Sequence, residues 1–192
     1  MQLPLIAPPR LPRPSSAVAK GVVYTKRWVV ELVLDLAGYR SENNLVDAVA
    51  VEPAPGDGAF LVPMVERLVH SCKRLGRSIS GCEGSLIAYE LDENSADRAR
   101  ALTLRVLADC GAEPLLAERL AAGWIRAEDY LLESTSIEAL RYWHPPYIRL
   151  EDIPEETATL YRSVYSTSRN ARRGDRWHAD GCLGSPGRRY RL

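Results

Sequence analysis

The 192-residue sequence lacks several features that would each identify a class of protein. Its formal net charge is zero, so no overall basic field favours nucleic acid or an anionic membrane as a partner. No apolar run approaches the roughly 18 residues that a membrane-spanning helix needs, so we predict no membrane span. The opening residues, MQLPLIAPPRLPRPSS, contain no signal-peptide core. These absences indicate a globular protein of the cytoplasm.

The cysteines lack the spacing of a metal site. None stands in a CxxC pair, and none has a histidine at metal-ligand spacing. The sequence therefore predicts no metal, and buried or idle thiols in a reducing cytosol are expected instead. The residues concerned are Cys72, Cys82, Cys110 and Cys182.

Two nucleotide-binding motifs are also missing. There is no GxxxxGK[ST] segment, which excludes a P-loop. The segment GDGAFL contains Gly56 and Gly58 but lacks the third glycine of the dinucleotide fingerprint. Glu90 lies 32 residues beyond Gly58, whereas the acidic residue of that fingerprint follows after about 20. A nicotinamide-dependent dehydrogenase is therefore disfavoured.

Helices and strands alternate in the apolar pattern of the chain. We predict helices from Lys26 to Gly38, over 59–75, from Asn94 or Ser95 to Leu107, and over 113–123. We predict strands over 47–51, over 85–91, and from Trp124 into the segment AEDYLL, with a fourth strand in SIEALRYWH. Strands separated by helices of about 10–20 residues indicate an α/β fold with a parallel sheet.

Three acidic residues lie at the carboxyl ends of predicted strands, where parallel sheets bind their ligands. These residues are Glu52, Glu90 and Asp129. The loop VEPAPGDGAF follows the first strand, and its glycines permit positive φ and close approach of a ligand. Its acidic residues would repel a pyrophosphate and suit a ligand with a positive centre or hydroxyls.

The same carboxylates suit the parts of one nucleoside. Glu90 can accept hydrogen bonds from both hydroxyls of a ribose. Asp129 can accept from an exocyclic adenine amino group, with Tyr130 beside the ring. A nucleoside that carries an amino acid and a sulfonium satisfies all three acids, and S-adenosylmethionine is such a ligand.

Five segments occur in an order typical of one enzyme family: GVVYTKRWVVELVLDLAGY, AVEPAPGDGAFL, AYELD, AEDYLL and HPPYIRLEDIP. Over about residues 20–165 the chain resembles the adenine-specific amino-group DNA methyltransferases of type II restriction–modification systems. The resemblance implies the amino-terminal half of a Rossmann-like class I methyltransferase fold. It also implies S-adenosylmethionine as cofactor, double-stranded DNA as substrate and a possible companion endonuclease.

The resemblance assigns roles to particular residues. The cofactor-binding residues are Thr25, Glu52, Pro53, Gly56, Asp57, Gly58, Glu90, Asp129 and Tyr130. The catalytic loop that receives a flipped adenine is His144, Pro145, Pro146 and Tyr147. Several of the cofactor positions also have a purely structural interpretation. Glu52, Gly56, Asp57 and Gly58 could form only a tight strand-to-helix turn. Glu90 could be an exposed strand-end carboxylate, Asp129 could cap a loop, and Thr25 could only cap its helix.

The sequence departs from the family pattern at several positions. Lys26 stands where the family has proline, and Pro55 replaces a cysteine. His144 replaces the asparagine whose oxygen accepts from the target amino group, and a neutral imidazole divides one donor and one acceptor between two nitrogens. Arg141 would lie unpaired in the fourth strand, at a cost of several kcal/mol. We therefore expect an impaired enzyme, or a remnant that binds cofactor or a partner without catalysis, and we hypothesise a local reading-frame slip over 137–144.

The two ends of the chain differ in composition from its middle. Residues 1–19 are predicted to form a flexible proline-rich leader, and residues 166–192 a basic, disordered tail that could also be out of frame. Further sheet strands and a target-recognition domain are expected in the family and are not evident here. Because an apolar edge and face would then lack cover, we expect poor solubility or dependence on a partner.

Overall fold

The computed structural model describes residues 25–133, 140–143, 148–149, 153–164 and 176–177. Its main sheet has four strands in the order β3-β2-β1-β4, and all neighbouring strands in it are parallel. These strands are β1 (Val49–Glu52), β2 (Leu86–Tyr89), β3 (Ile125–Arg126) and β4 (Leu140–Trp143). The predicted α/β class with a parallel sheet is therefore confirmed. A second, antiparallel pair joins β5 (Ile148–Arg149) to β6 (Arg176–Trp177).

Helices connect the strands of the main sheet. They are α1 (Arg27–Leu36), α2 (Leu61–Arg74), α3 (Glu93–Asp109) and α4 (Pro114–Trp124), followed by the short α5 (Tyr130–Glu133) and by α6 (Glu155–Val164). A single 3₁₀ turn, Ile79–Cys82, precedes β2. α2 leads from β1 to β2, and α3 with α4 leads from β2 to β3, which is the connection that parallel neighbours require.

The apolar pattern of α2 produces the predicted buried face. Leu61, Met64, Val65, Leu68 and Val69 are all buried there. α1 packs beside α2 and buries Val30 and Leu34, and it ends before Gly38, which has a φ of 75°. This ending agrees with the predicted stop. α1 begins one residue later than predicted, and Lys26 rather than Thr25 is its N-cap residue.

A charged clasp also joins α1 to α2. The Arg67 guanidinium donates to the carboxylate of Asp35 at 2.7 Å and to the carbonyl of Tyr39 at 2.8 Å, and it also pairs with Glu31. Arg67 is nearly enclosed, with 14% of its side chain exposed. The clasp holds α1 on the helix that follows the glycine loop.

Two helix starts differ from the prediction. β3 ends at Arg126 and runs into a loop, as predicted, but the chain then forms α5 from Tyr130, which was not predicted. The third long helix begins at Glu93, because the Asp92 carboxylate accepts from the backbone N–H of Ser95 at 2.8 Å and caps it. α6 was not predicted at all.

The sheet separates two apolar clusters. Alternate strand residues such as Ala50, Leu86 and Ala88 face the larger cluster, which α1 to α4 complete. Val51 and Tyr89 point to the opposite face and pack with Tyr130, Leu131 and Tyr161 of α5 and α6. None of the helices in the described ranges has the length and hydropathy of a membrane-spanning segment.

Candidate functional site

The three acidic residues singled out in the sequence lie at the same end of neighbouring strands. Glu52 is the last residue of β1, Glu90 directly follows β2, and Asp129 lies just beyond β3. The backbone ties these ends together, since the N–H of Glu90 donates to the carbonyl of Arg126 at 2.9 Å. The order β3-β2-β1 therefore places them along one edge of the sheet.

The glycine loop after β1 turns through two residues in the left-handed region. Gly56 has a φ of 48° and Gly58 a φ of 85°. A Cβ on Gly58 would lie 3.0 Å from Cδ1 of Leu102 in α3, so the loop lies close against that helix. The N–H of Gly58 donates to the carbonyl of Pro55 at 2.7 Å, and this hydrogen bond closes the turn from Pro55 to Gly58. Both glycines are thus required by the backbone itself.

Carboxylates occupy the backbone donors of this loop. The N–H of Ala54 donates to Oε1 of Glu52 at 3.1 Å, and the N–H of Gly56 donates to Oε2 of Glu90 at 3.2 Å. The N–H of Ala59 donates to Oδ1 of Asp57 at 3.2 Å. Donors that could have faced a phosphate are therefore engaged by acidic side chains, which disfavours an anion cradle at this loop.

Glu52 is enclosed almost completely. Its relative exposure is 1%, and its Oε2 has no hydrogen-bond partner among the described residues. Burial raises the pKa of Glu52 to about 8, with the hydrogen bond from Ala54 acting in the opposite direction and the negative charge of Glu90 adding to the rise. The strand end therefore carries an acid that is neutral over much of the physiological range.

Glu90 is held from two sides. Its Oε2 accepts from Gly56, and its Oε1 accepts from the backbone N–H of Asp92 at 3.1 Å. The side chain is half-buried, so it is neither sealed in the core nor freely exposed. This arrangement fixes a carboxylate between the glycine loop and the start of α3.

Asp129 caps α5 and also contacts α6. Its Oδ1 accepts from the N–H of Leu131 at 2.9 Å, and its Oδ2 accepts from the hydroxyl of Tyr161 at 2.6 Å. The structural interpretation of Asp129 as a cap is therefore observed.

Tyr130 belongs to an aromatic cluster beneath this edge. Its ring centroid lies 5.5 Å from that of Tyr89, with the planes inclined by 56°, and Tyr130 is 5% exposed. The guanidinium of Arg126 lies 5.7 Å from the Tyr89 ring centroid. The cluster supports the strand ends from the face opposite the long helices.

The remaining predicted residues fall into two groups. Pro53 is buried at the start of the loop, Asp57 is exposed, and Thr25 is half-buried just before α1. The predicted catalytic residues His144, Pro145, Pro146 and Tyr147 lie outside the described residues. Within the described ranges, no group of three or more histidine, cysteine or acidic side chains could hold a metal ion.

A polar cleft of about 320 Å³ lies elsewhere, between α1 and α2. Its lining includes Glu31, Asp35 and Arg67 of the clasp and a second ion pair, between Arg27 and Glu66. None of the predicted site residues lines it. We therefore regard the cleft as a consequence of the clasp. Tyr161 was missed from the sequence, because no short-range pattern connects it to Asp129, 32 residues away.

Three curated proteins are similar to this chain. The type II methyltransferase M.XhoI of Xanthomonas vasicola is 31% identical over 153 residues, and the type II methyltransferase M.BstVI of Geobacillus stearothermophilus is 34% identical over 163 residues. The type II methyltransferase M.PaeR7I of Pseudomonas aeruginosa is 31% identical over 153 residues. The chain is a homologue of type II methyltransferases.

The alignments cover most of this chain but only a small part of each relative. The alignments cover 77% or 78% of this chain, while the chain spans only 27% or 28% of the length of the relatives. No family model matches the chain, and no solved structure matches it. The expected kinship with type II methyltransferases is confirmed, and the activity of the whole protein is a matter for proposal.

Proposed function

We propose that the chain binds S-adenosylmethionine along the ends of β1, β2 and β3, within the amino-terminal half of a Rossmann-like class I methyltransferase fold. The observation that carries this proposal is the buried Glu52, whose Oε2 lacks a partner among the described residues beside a loop already closed by carboxylates. A site with those carboxylate acceptors favours a ligand with a positive charge, amino groups and hydroxyls over a phosphate.

The residues present fit the parts of this cofactor. Glu52, Pro53, Asp57 and the two loop glycines, Gly56 and Gly58, would surround the methionine end. The carboxylate of Glu90, held by Gly56 and Asp92, would accept from the ribose hydroxyls. Asp129 would accept from the adenine amino group, with Tyr130 beneath the edge and Thr25 at the entrance.

The reaction proposed for this class of site is methylation of the adenine amino group in double-stranded DNA. S-adenosylmethionine supplies, when bound, a methyl group activated by the sulfonium. His144, Pro145, Pro146 and Tyr147 would receive the flipped base, and a companion endonuclease would cleave unmethylated DNA. A neutral His144 can accept one hydrogen bond from the amino group, but its reach differs from that of a carboxamide.

A second candidate function is cofactor or partner binding without catalysis. One observation favours it: His144 stands where the resembled family has asparagine. Loss of one preorganised polar contact in an active site lowers the rate by about 10²–10³. The two candidates share the cofactor site and differ in the transfer step.

The deciding experiment measures binding and transfer separately. Calorimetry of the purified chain with S-adenosylmethionine is expected to show saturable binding, which Glu90→Ala weakens and Glu83→Gln, an exposed control, leaves unchanged. Transfer of labelled methyl to bacterial DNA is then compared for the wild type and His144→Asn. Transfer that rises in His144→Asn supports the impaired enzyme, and binding without transfer in either protein supports the remnant. Absence of binding would refute the cofactor site.

A further inference from the structure

Glu52 differs from every other acid at this edge in how its oxygens are used. Oε1 accepts the Ala54 N–H, whereas Oε2 has no partner among the described residues although the side chain is 99% enclosed. By the alternation of β1, Glu52 points to the same face as Ala50, toward the long helices. An ionised carboxylate in that position would keep one buried oxygen without a hydrogen-bond partner, which disfavours the charged form.

The negative charge on the buried Glu52 carboxylate can be compensated in two ways. A proton on the carboxyl removes the charge, or a cation beside it neutralises the charge. The loop donors cannot serve, because the N–H groups of Gly56 and Ala59 are engaged by Glu90 and Asp57. Either a proton or a cation can therefore compensate Oε2 of Glu52, but not both at once.

We propose that Glu52 holds a proton before a ligand binds and exchanges it for the ligand's ammonium group, which makes Glu52 the residue that selects ligands with a positively charged amino-acid end. This inference rests on the proposed function, in which Glu52 faces the methionine end of S-adenosylmethionine. The exchange is balanced. The carboxyl O–H breaks, its proton passes to the buffer, and the carboxylate pairs with the ammonium that arrives.

The charged groups around Glu52 support this exchange. Glu90, beyond β2, is the charged group that disfavours ionisation of Glu52 among the described residues, and Asp57 on the loop is exposed. Burial is the larger influence, and together they place the pKa of Glu52 at about 8. No basic side chain from the described elements contributes to the pKa of Glu52, so a proton is the simplest neutralising partner.

The first test needs no ligand. Carbon-13 carboxyl NMR of glutamate-labelled full-length chain is recorded from about pH 5 to pH 9, and the Glu52 resonance is identified by its loss in Glu52→Gln. We expect a Glu52 carboxyl that remains protonated at pH 6.5. A Glu52 resonance that is already ionised at pH 6.5 would overturn the proposal.

The second test counts protons released on binding. Calorimetry near pH 6.5 in two buffers of different ionisation enthalpy is expected to show release of about one proton per S-adenosylmethionine, because the free ligand's ammonium is itself almost fully protonated there. S-adenosylhomocysteine, which keeps the ammonium, should release the same amount, and 5′-methylthioadenosine, which lacks it, should release none. Equal release by all three ligands would refute the exchange.

Two variants identify the group that gives up the proton. Glu52→Gln should abolish the release, whereas His144→Asn should retain it, since the histidine is the competing source of a proton in this pH range. Loss of release only in His144→Asn would overturn the assignment. Failure of S-adenosylmethionine to bind the wild type would instead refute the proposed cofactor site, whatever the NMR titration shows.

Discussion

The carboxylate of Glu90 accepts a hydrogen bond from the backbone N–H of Gly56, and this 3.2 Å contact joins the end of β2 to the loop that follows β1. The loop is therefore closed by a side chain from the neighbouring strand. The geometry of the loop depends on two residues 34 positions apart. Glu90 supplies the negative charge, and Gly56 supplies the backbone conformation.

Alanine at either loop glycine should destabilise the protein, because L residues resist the left-handed region. We expect Gly56→Ala, at a φ of 48°, to lower the free energy of unfolding by about 1–2 kcal/mol. Gly58→Ala should cost at least as much, since its Cβ would also meet Leu102 at 3.0 Å. Urea unfolding followed by circular dichroism measures both.

Gly123 in α4 provides the matched control. It has no atom within 4 Å of an added Cβ and lies in a helix, so Gly123→Ala should be neutral or stabilise by up to about 1 kcal/mol. Equal effects of alanine at Gly56 and Gly123 would show that the loop conformation is not the one described.

Ionisation of Glu52 should make stability fall as pH rises. The pKa of Glu52 is about 8 in the folded chain and near its ordinary value of 4.5 when unfolded. The folded state therefore binds more protons between these values, and its advantage is complete below about pH 4.5 and lost as pH passes about 8. Glu52→Gln removes this dependence.

The measurement is the difference in unfolding free energy between Glu52→Gln and the wild type across that range. The difference should move in favour of the variant by a few kcal/mol from pH 5 to pH 9. Glu83→Gln, at an exposed carboxylate paired with Arg119, is the matched control. A difference that stays constant with pH would contradict the burial of an ionisable Glu52.

Two of the three leucines of α1, Leu32 and Leu34, offer a direct test of which helix face is buried. Leu34 is 5% exposed and Leu32 is 49% exposed, so Leu34→Ala should cost about 2–4 kcal/mol and Leu32→Ala less than about 0.5 kcal/mol. Urea unfolding of the two variants tests this. Comparable losses would mean that α1 is docked differently.

The exposed face of α1 also bears on the expected poor solubility. Trp28, Leu32 and Leu36 follow one another at helical spacing and are 66%, 49% and 78% exposed. Serine at all three positions should reduce self-association in sedimentation experiments without lowering the unfolding midpoint appreciably. A wild type that is already monomeric, with a sharp two-state melt, would contradict the expectation of poor solubility.

Much of the helical framework could be predicted because it is encoded locally. The spacing of Leu61, Met64 and Val65 determines which face of α2 is buried, and Gly38 ends α1 through its own conformational freedom. The parallel sheet followed from the alternation of such helices with short apolar strands. The kinship with type II methyltransferases followed from short motifs, which depend on residue identity rather than on packing.

Two short helices carried a start signal in the sequence that was overlooked. AEDYLL was predicted to run from the third strand into its loop, but Asp129 accepts from the N–H of Leu131 at the start of α5. Pro154, Glu155 and Glu156 form a helix start of the usual composition, and α6 begins at Glu155.

The burial of Glu52 and the partner of Asp129 could not be predicted from sequence. Burial depends on how α2 closes over β1, and the Tyr161 hydroxyl reaches Asp129 only because α6 packs on the far face of the sheet. Such contacts are set by tertiary packing, which short motifs do not encode.

The contact between Asp129 and Tyr161 should contribute to stability through its charge. Tyr161→Phe removes the hydroxyl that donates at 2.6 Å and keeps the ring, which is 5% exposed, so we expect a loss of about 1.5–3 kcal/mol in the free energy of unfolding. Asp129→Asn weakens the same bond and also changes the cap of α5. A double-mutant cycle isolates the pair, and we expect the double variant to be less destabilised than the sum of the single variants by about 1 kcal/mol or more. Strict additivity, measured by urea unfolding, would show that α6 does not dock through Asp129 and that the carboxylate is held by its cap alone.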